Sequence, residues 1–184
     1  MKSVVLTVSI PATILSCQLN APGEDIAEGP ATDVPELKEL NHYAGQWEEE
    51  IAGRPGVRRT EFSEWILQGR FLRQTWSTES KDGTPAAHGL TLMTYDVERK
   101  AYRSWAFLAT GSVIENEGSW DAATNTFVWA HRITGTSETV VTKASFPNET
   151  TQAWSIVKTD EQNKVIREVA GQSSRRALST LHPA

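Results

Sequence analysis

Cysteine is nearly absent: Cys17 is the single one in 184 residues. No disulfide can form within the chain, so its stability has to come from packing and hydrogen bonds. Nothing electropositive flanks Cys17 in the sequence to activate it as a thiolate. Long apolar runs are missing too. The longest, Val4 to Leu15, is twelve residues and is interrupted by Thr7, Ser9, Pro11 and Thr13, whereas a spanning helix needs about 20. Basic charge is in deficit, with 18 Lys and Arg against 23 Asp and Glu. No basic patch supplies the electrostatic attraction that nucleic acid requires, and that partner class is excluded. There is no Gly-x-Ser-x-Gly and no phosphate-cradling glycine loop. His42, His88, His131 and His182 lack the carboxylate or cysteine spacing of a zinc site, so no metal or cofactor is expected. Helix-length segments are absent after about residue 45, which rules out the crossovers of a parallel α/β fold.

The amino end reads as an address. Met1-Lys2-Ser3 gives a short positive start, and the apolar run of Val4 to Leu15 has signal-peptide length. It ends in Ile14-Leu15-Ser16-Cys17, which resembles a bacterial lipobox, with residues 1–16 removed and Cys17 lipidated. An ordinary secretory signal with an incidental cysteine is the alternative. Removal of 1–16 takes away only Lys2, moving the net charge from -5 to -6. Two or three acyl chains would anchor the chain stably, since one alone is marginal. Gln18, in place of Asp, favours an outer membrane facing the periplasm. Residues 18–32 then read as a tether: no aromatics, acidic Glu24, Asp25 and Glu28, and breaks at Pro22, Gly23, Gly29 and Pro30.

A folded part of 33–175 follows, with 176–184 as a tail. Asp33-Val34-Pro35-Glu36 has the form of a capping box opening one short helix, with Leu37, Leu40 and Ala44 on one face and Gly45 as its stop. The period then changes to two. Nine turn signals separate ten runs rich in β-branched and aromatic residues. They are Gly53 to Gly56, Gln68-Gly69, Lys81 to Gly83, Asp96 to Lys100, Ala109 to Gly111, Asp121 to Asn125, Thr134 to Thr136, Pro147-Asn148 and Asp160 to Lys164. A meander of ten antiparallel strands removes its exposed edges by closing. The expected fold is therefore all-β, a single closed antiparallel barrel preceded by a short helix covering one end. More than eight strands leave room for a cavity.

Gly45-x-Trp47, entering the first strand from a short helix, resembles the calycin group of lipocalins, fatty-acid-binding proteins and nitrobindin-like barrels. More closely, Leu37 to Arg175 resembles the family called domain of unknown function 1579. The matching stations are Gly45-x-Trp47, Trp65 to Leu72, Tyr95-Asp96, Tyr102-x-x-Trp105 and Gly118-x-Trp120-Asp121. The chain departs from that family at Thr94, where glycine is usual, and at Ala106-Phe107. Glu48-Glu49-Glu50 stand where nitrobindin-like barrels carry glycines. The resemblance implies architecture and no particular chemistry.

Seven tryptophans is a high count, and Trp47, Trp65, Trp76, Trp105, Trp120, Trp129 and Trp154 fall on seven different strands or their edges. Two readings stand: an aromatic-lined pocket for an apolar or planar ligand, or core packing around a filled barrel. In Phe127 to Ile133, alternation puts Phe127, Trp129, His131 and Ile133 on the more apolar face, which should point inward. His131 is then a haem ligand or a base, or a hydrogen-bonded structural histidine. Glu49 shares a face with Trp47, and an inward Glu49 predicts an inward cation opposite it. Glu64, Arg73, Arg103, Lys143 and Glu168 are further strand charges able to reach the lumen. The alternation on the strand holding Phe62, Glu64 and Ile66 against Trp65 and Leu67 leaves its inward face open. The ligand-contacting set expected is Trp47, Glu49, Trp65, Arg73, Trp105, Phe127, Trp129, His131 and Trp154. A membrane-tethered carrier of a small apolar or amphipathic molecule is the first functional expectation. A haem-binding or enzymatic barrel using His131 is the second, and a ligand-free envelope interaction module the third.

Overall fold

The structure is a computed structural model that describes residues 26–51, 54–83 and 85–176. Cys17 and the signal and tether residues before Ile26 lie outside the described residues. Ten strands run in a continuous antiparallel meander: β2 (Gly45–Glu50), β3 (Arg58–Ile66), β4 (Phe71–Glu79), β5 (Pro85–Asp96), β6 (Ala101–Leu108), β7 (Val113–Asp121), β8 (Thr126–Arg132), β9 (Thr139–Asn148), β10 (Thr151–Thr159) and β11 (Val165–Arg176). Each pairs with its chain neighbour, and β11 returns to β2 through Ser174↔Glu48, Arg175↔Trp47 and Arg176↔Gln46. The sheet is thereby a closed barrel. A two-residue strand, β1 (Ile26–Ala27), pairs with Ile66 and Trp65 of β3, beyond the point where β2 ends.

The strands turn where the sequence places its turn residues. Asp96, Asp121 and Asp160 repeat one device: each carboxylate accepts from its own turn backbone, the N–H of Arg99, of Ala123, and of Gln162 and Lys164 respectively. The left-handed residue in each turn is Lys100, Asn125 or Asn163.

The helix differs from expectation in both type and cap. It is a 3-10 helix over Pro35–His42 with Val34 as N-cap and no side-chain cap. Asp33 is drawn away by the Arg70 guanidinium at 2.6 Å, and Pro35 at the first position needs no partner for a missing N–H. Three residues per turn put Leu37, Leu40 and Tyr43 in line. Leu37 and Leu40 are fully buried, and Tyr43 nearly so. The helix lies across one end of the barrel, tied there by Tyr102 Oη donating to Glu36 O and by Trp65 Nε1 donating to Asn41 Oδ1. Arg175 fastens its carboxyl end. The guanidinium donates to the carbonyls of His42, Ala44 and Glu149 and stacks 4.4 Å from the Trp47 ring.

Candidate functional site

The lumen is built in layers along the barrel axis. Next to the helix it is solid: Leu37, Leu40, Trp47, Trp65, Leu72, Tyr102, Phe127 and Phe146 are buried together. Phe127 is wholly inaccessible and packs between Trp120, Tyr43, Tyr102 and Trp129 at ring separations of 4.6 to 5.6 Å. Farther along, the filling stops. A cavity of about 190 Å³ opens, with Tyr43 and Met93 among its lining residues. Trp129, Trp154, Ile156, Ala106 and Ala144 make its apolar wall; Arg59, Glu61, Gln74, Thr91, Ser104, Asn116, Thr142 and Gln152 make its polar wall.

The cavity survives between large side chains because indoles lie flat on neighbouring strands, Trp129 and Trp154 in its own wall. Trp76, Trp129 and Trp154 each stand directly opposite a glycine on the next strand: Gly89, Gly118 and Gly171. A Cβ on Gly118 would lie 2.4 Å from the Trp129 ring, one on Gly89 2.5 Å from Trp76, and one on Gly171 2.6 Å from Trp154. Real atoms do not approach so closely, so only glycine lets each ring fold down on the neighbouring strand.

Charges in the lumen are held by fixed donors. Glu49 is buried, and its Oε2 accepts from Trp154 Nε1 and from Ser173 Oγ at 2.8 Å. Glu61 accepts from Arg59 Nε at 2.6 Å and from Gln74 Nε2 at 2.9 Å. Arg59 sits opposite Glu49 in register and lies 4.9 Å over the Trp76 ring. The inward cation is therefore present, but it bonds Glu61, while the direct partners of Glu49 are neutral donors. Tyr43 Oη accepts from Trp129 Nε1 at 3.0 Å. Burial pushes the Tyr43 phenol far above its ordinary pKa, only partly opposed by that bond, so it stays protonated. His131 Nδ1 is 2.8 Å from Asn116 Oδ1, and Asn116 Nδ2 donates to Ser104 Oγ. With the amide in that orientation, Nδ1 carries the proton. Burial lowers the His131 pKa.

Of the nine residues expected at a ligand, Trp129 and Trp154 line the cavity, and Glu49 holds Trp154 from behind. Phe127, Trp47 and Trp65 belong to the solid layer. His131 is half-buried outside the cavity wall, joined to it through Asn116. Arg73 and Trp105 are on the outer face, Arg73 paired with Glu64 at 2.5 Å and Trp105 beside Arg103. On β3 the inward residues are Glu61, Ser63 and Trp65, so Phe62, Glu64 and Ile66 face outward. Sequence reasoning passed over Arg59, Glu61, Gln74, Asn116 and Gln152. The outer face of β3 carries Phe62 and Ile66 and looks the more apolar, which hides the inward row. Three glycines in mid-strand, with no turn to explain them, were the available signal.

Among the described residues, the buried atoms Ser63 Oγ, Arg103 Nε and Gln152 Oε1 have no hydrogen-bond partner; of these residues Gln152 lines the cavity. The chain matches no protein-family model, and no curated protein is significantly similar to it.

Proposed function

We propose that the barrel carries a compact amphipathic guest of about single-ring size, at the surface of a bacterial envelope membrane. The observation behind this reading is the cavity of about 190 Å³ left open between the indole-covered wall and the solid layer. A cavity of about 150 Å³ accepts benzene, so one ring fits where a long acyl chain or a sterol would not. The apolar side of the guest lies on Trp129, Trp154 and Ile156, and its polar side faces the Gln74, Asn116 and Gln152 amides. His131, on which a haem or enzymatic reading would turn, stands outside that wall.

The likeness to the calycin group and to domain of unknown function 1579 belongs to the same reading, as does a lipid on Cys17. Ile26, from which the chain leads back to Cys17, pairs at the helix-covered end of the barrel. The eight intervening residues, nine steps from Cα to Cα, reach at most about 30 Å. A lipid on Cys17 would keep the covered end toward the membrane and the other end toward water, so the guest would arrive from the aqueous side.

Burying about 150 Å² of apolar guest surface contributes about 4 kcal/mol at 25 cal/mol per Å², which corresponds to a dissociation constant near 1 mM. Titration with toluene up to its aqueous saturation and with 4-methylphenol to about 10 mM, followed by tryptophan emission, tests the carrier reading. Saturable quenching that disappears in Ala106→Phe is expected. No saturation by either compound overturns it. Native mass spectrometry of protein purified from its own membrane reports the lipid, and an unmodified Cys17 in that material removes the anchor.

A further inference from the structure

The Gln152 carboxamide is 6% exposed, lines the cavity, and makes no hydrogen bond to any described residue. Its neighbours in the wall are committed. Asn116 bonds both His131 and Ser104, the Gln74 amide nitrogen bonds Glu61, and both Glu61 oxygens are taken. The amide oxygen is the atom that is both buried and unpartnered; such an atom is costly, and proteins rarely keep one without a use for it. Turning the amide over changes which atom faces the cavity but leaves the group unpartnered. A guest that satisfies it has to offer one acceptor and one donor side by side.

Charge narrows the class further. Within and directly behind the wall stand one cation, Arg59, and two carboxylates, Glu61 and Glu49, a formal excess of one negative charge. An anionic guest enters against that excess. A cationic guest has to compete with Arg59 for Glu61, and Glu49 already has Trp154 and Ser173. A neutral guest disturbs neither arrangement. The indoles of Trp129 and Trp154 favour a flat one.

We propose that the lumen recognises a neutral, planar, single-ring molecule bearing a carboxamide-type edge, one donor beside one acceptor, through reciprocal hydrogen bonds with Gln152. This rests on the carrier reading and specifies the chemistry of its guest. Tyr43, whose hydroxyl proton is not used by its bond from Trp129, offers a second donor to the guest.

The test is calorimetric titration of the barrel protein with four compounds that share one ring: toluene, benzamide, benzoate and benzylamine. Benzamide is expected to bind at least about tenfold more tightly than toluene, as a paired buried amide should, with benzoate and benzylamine weaker than benzamide. In Gln152→Met that advantage is expected to vanish while toluene binding persists. Benzoate or benzylamine equalling benzamide overturns the proposal, as does a benzamide preference that survives Gln152→Met. In both cases bound toluene leaves the carrier reading standing. Failure of all four to bind, toluene at aqueous saturation and the other three at about 10 mM, overturns both together.

Discussion

Replacing Gln152 by methionine should make the empty protein more stable. The two side chains are nearly the same shape, so the exchange opens no cavity and forces no overpacking. What changes is the removal of a buried amide that has no hydrogen-bond partner among the described residues. An unpartnered buried polar group costs about 1–3 kcal/mol. A cavity of about 190 Å³ is wide enough to admit water, which takes the expectation to the lower half, about 1–2 kcal/mol. For a domain of this length each kcal/mol moves the midpoint by about 2–4 °C, so the melting temperature should rise by roughly 2–8 °C. Differential scanning calorimetry of ligand-free wild type and Gln152→Met measures this, and urea melts with an unchanged slope confirm that the native state is what shifted. A midpoint that stays put or falls refutes the reasoning, because it would mean that the amide is already satisfied in solution. With the binding experiment above, the variant separates function from stability: it should hold the fold better and its guest worse.

Gly118→Ala should destabilise by about 1–3 kcal/mol, because its Cβ would lie 2.4 Å from the Trp129 ring and displace it; chemical denaturation checks the loss, and a change in near-ultraviolet circular dichroism checks the displaced ring. Arg175→Ala removes three bonds to carbonyls and a stacked guanidinium from the helix end. A loss of about 2–4 kcal/mol is expected, and a wild-type urea midpoint would show that the helix needs no such fastening. Burial lowers the pKa of both His42 and His131. The unfolded chain therefore binds more protons than the folded one below the ordinary histidine value of about 6.5. Stability should accordingly be complete above that value and decline as pH falls from it toward the folded-state values. Melting temperatures from pH 7.5 to 5 test this, and His131→Gln should flatten the slope.

Much of the barrel could be read from the chain because its causes are local. Asp turns, left-handed residues and alternation act over two to five residues, so the turn positions and the absence of crossovers follow from composition and spacing alone. The period of two says that each strand has two faces, but not always which one points inward. Phe127 and Trp129 are separated from their neighbours by hydrophobicity, and their orientation was legible. On β3 the inward row is Arg59, Glu61, Ser63 and Trp65, and the outward row holds Phe62 and Ile66. Hydrophobic contrast there points the wrong way.

Only closure could resolve that strand. Once β11 pairs with β2 and the ring of strands is fixed, every parity is fixed with it, and Arg59 meets Glu61 and the Trp76 ring while Gln74 reaches Glu61 from the next strand. The same holds for the cavity. Seven tryptophans in a sequence predict aromatic burial, not where it leaves space. The space exists because Gly118 and Gly171 fall opposite Trp129 and Trp154, a register set by partners 11 and 17 residues apart, and because the helix fills one end and not the other. The chain by itself determined that there would be a barrel. Register across the closed sheet decided that it would be half solid and half open, with Gln152 in the wall of the open half.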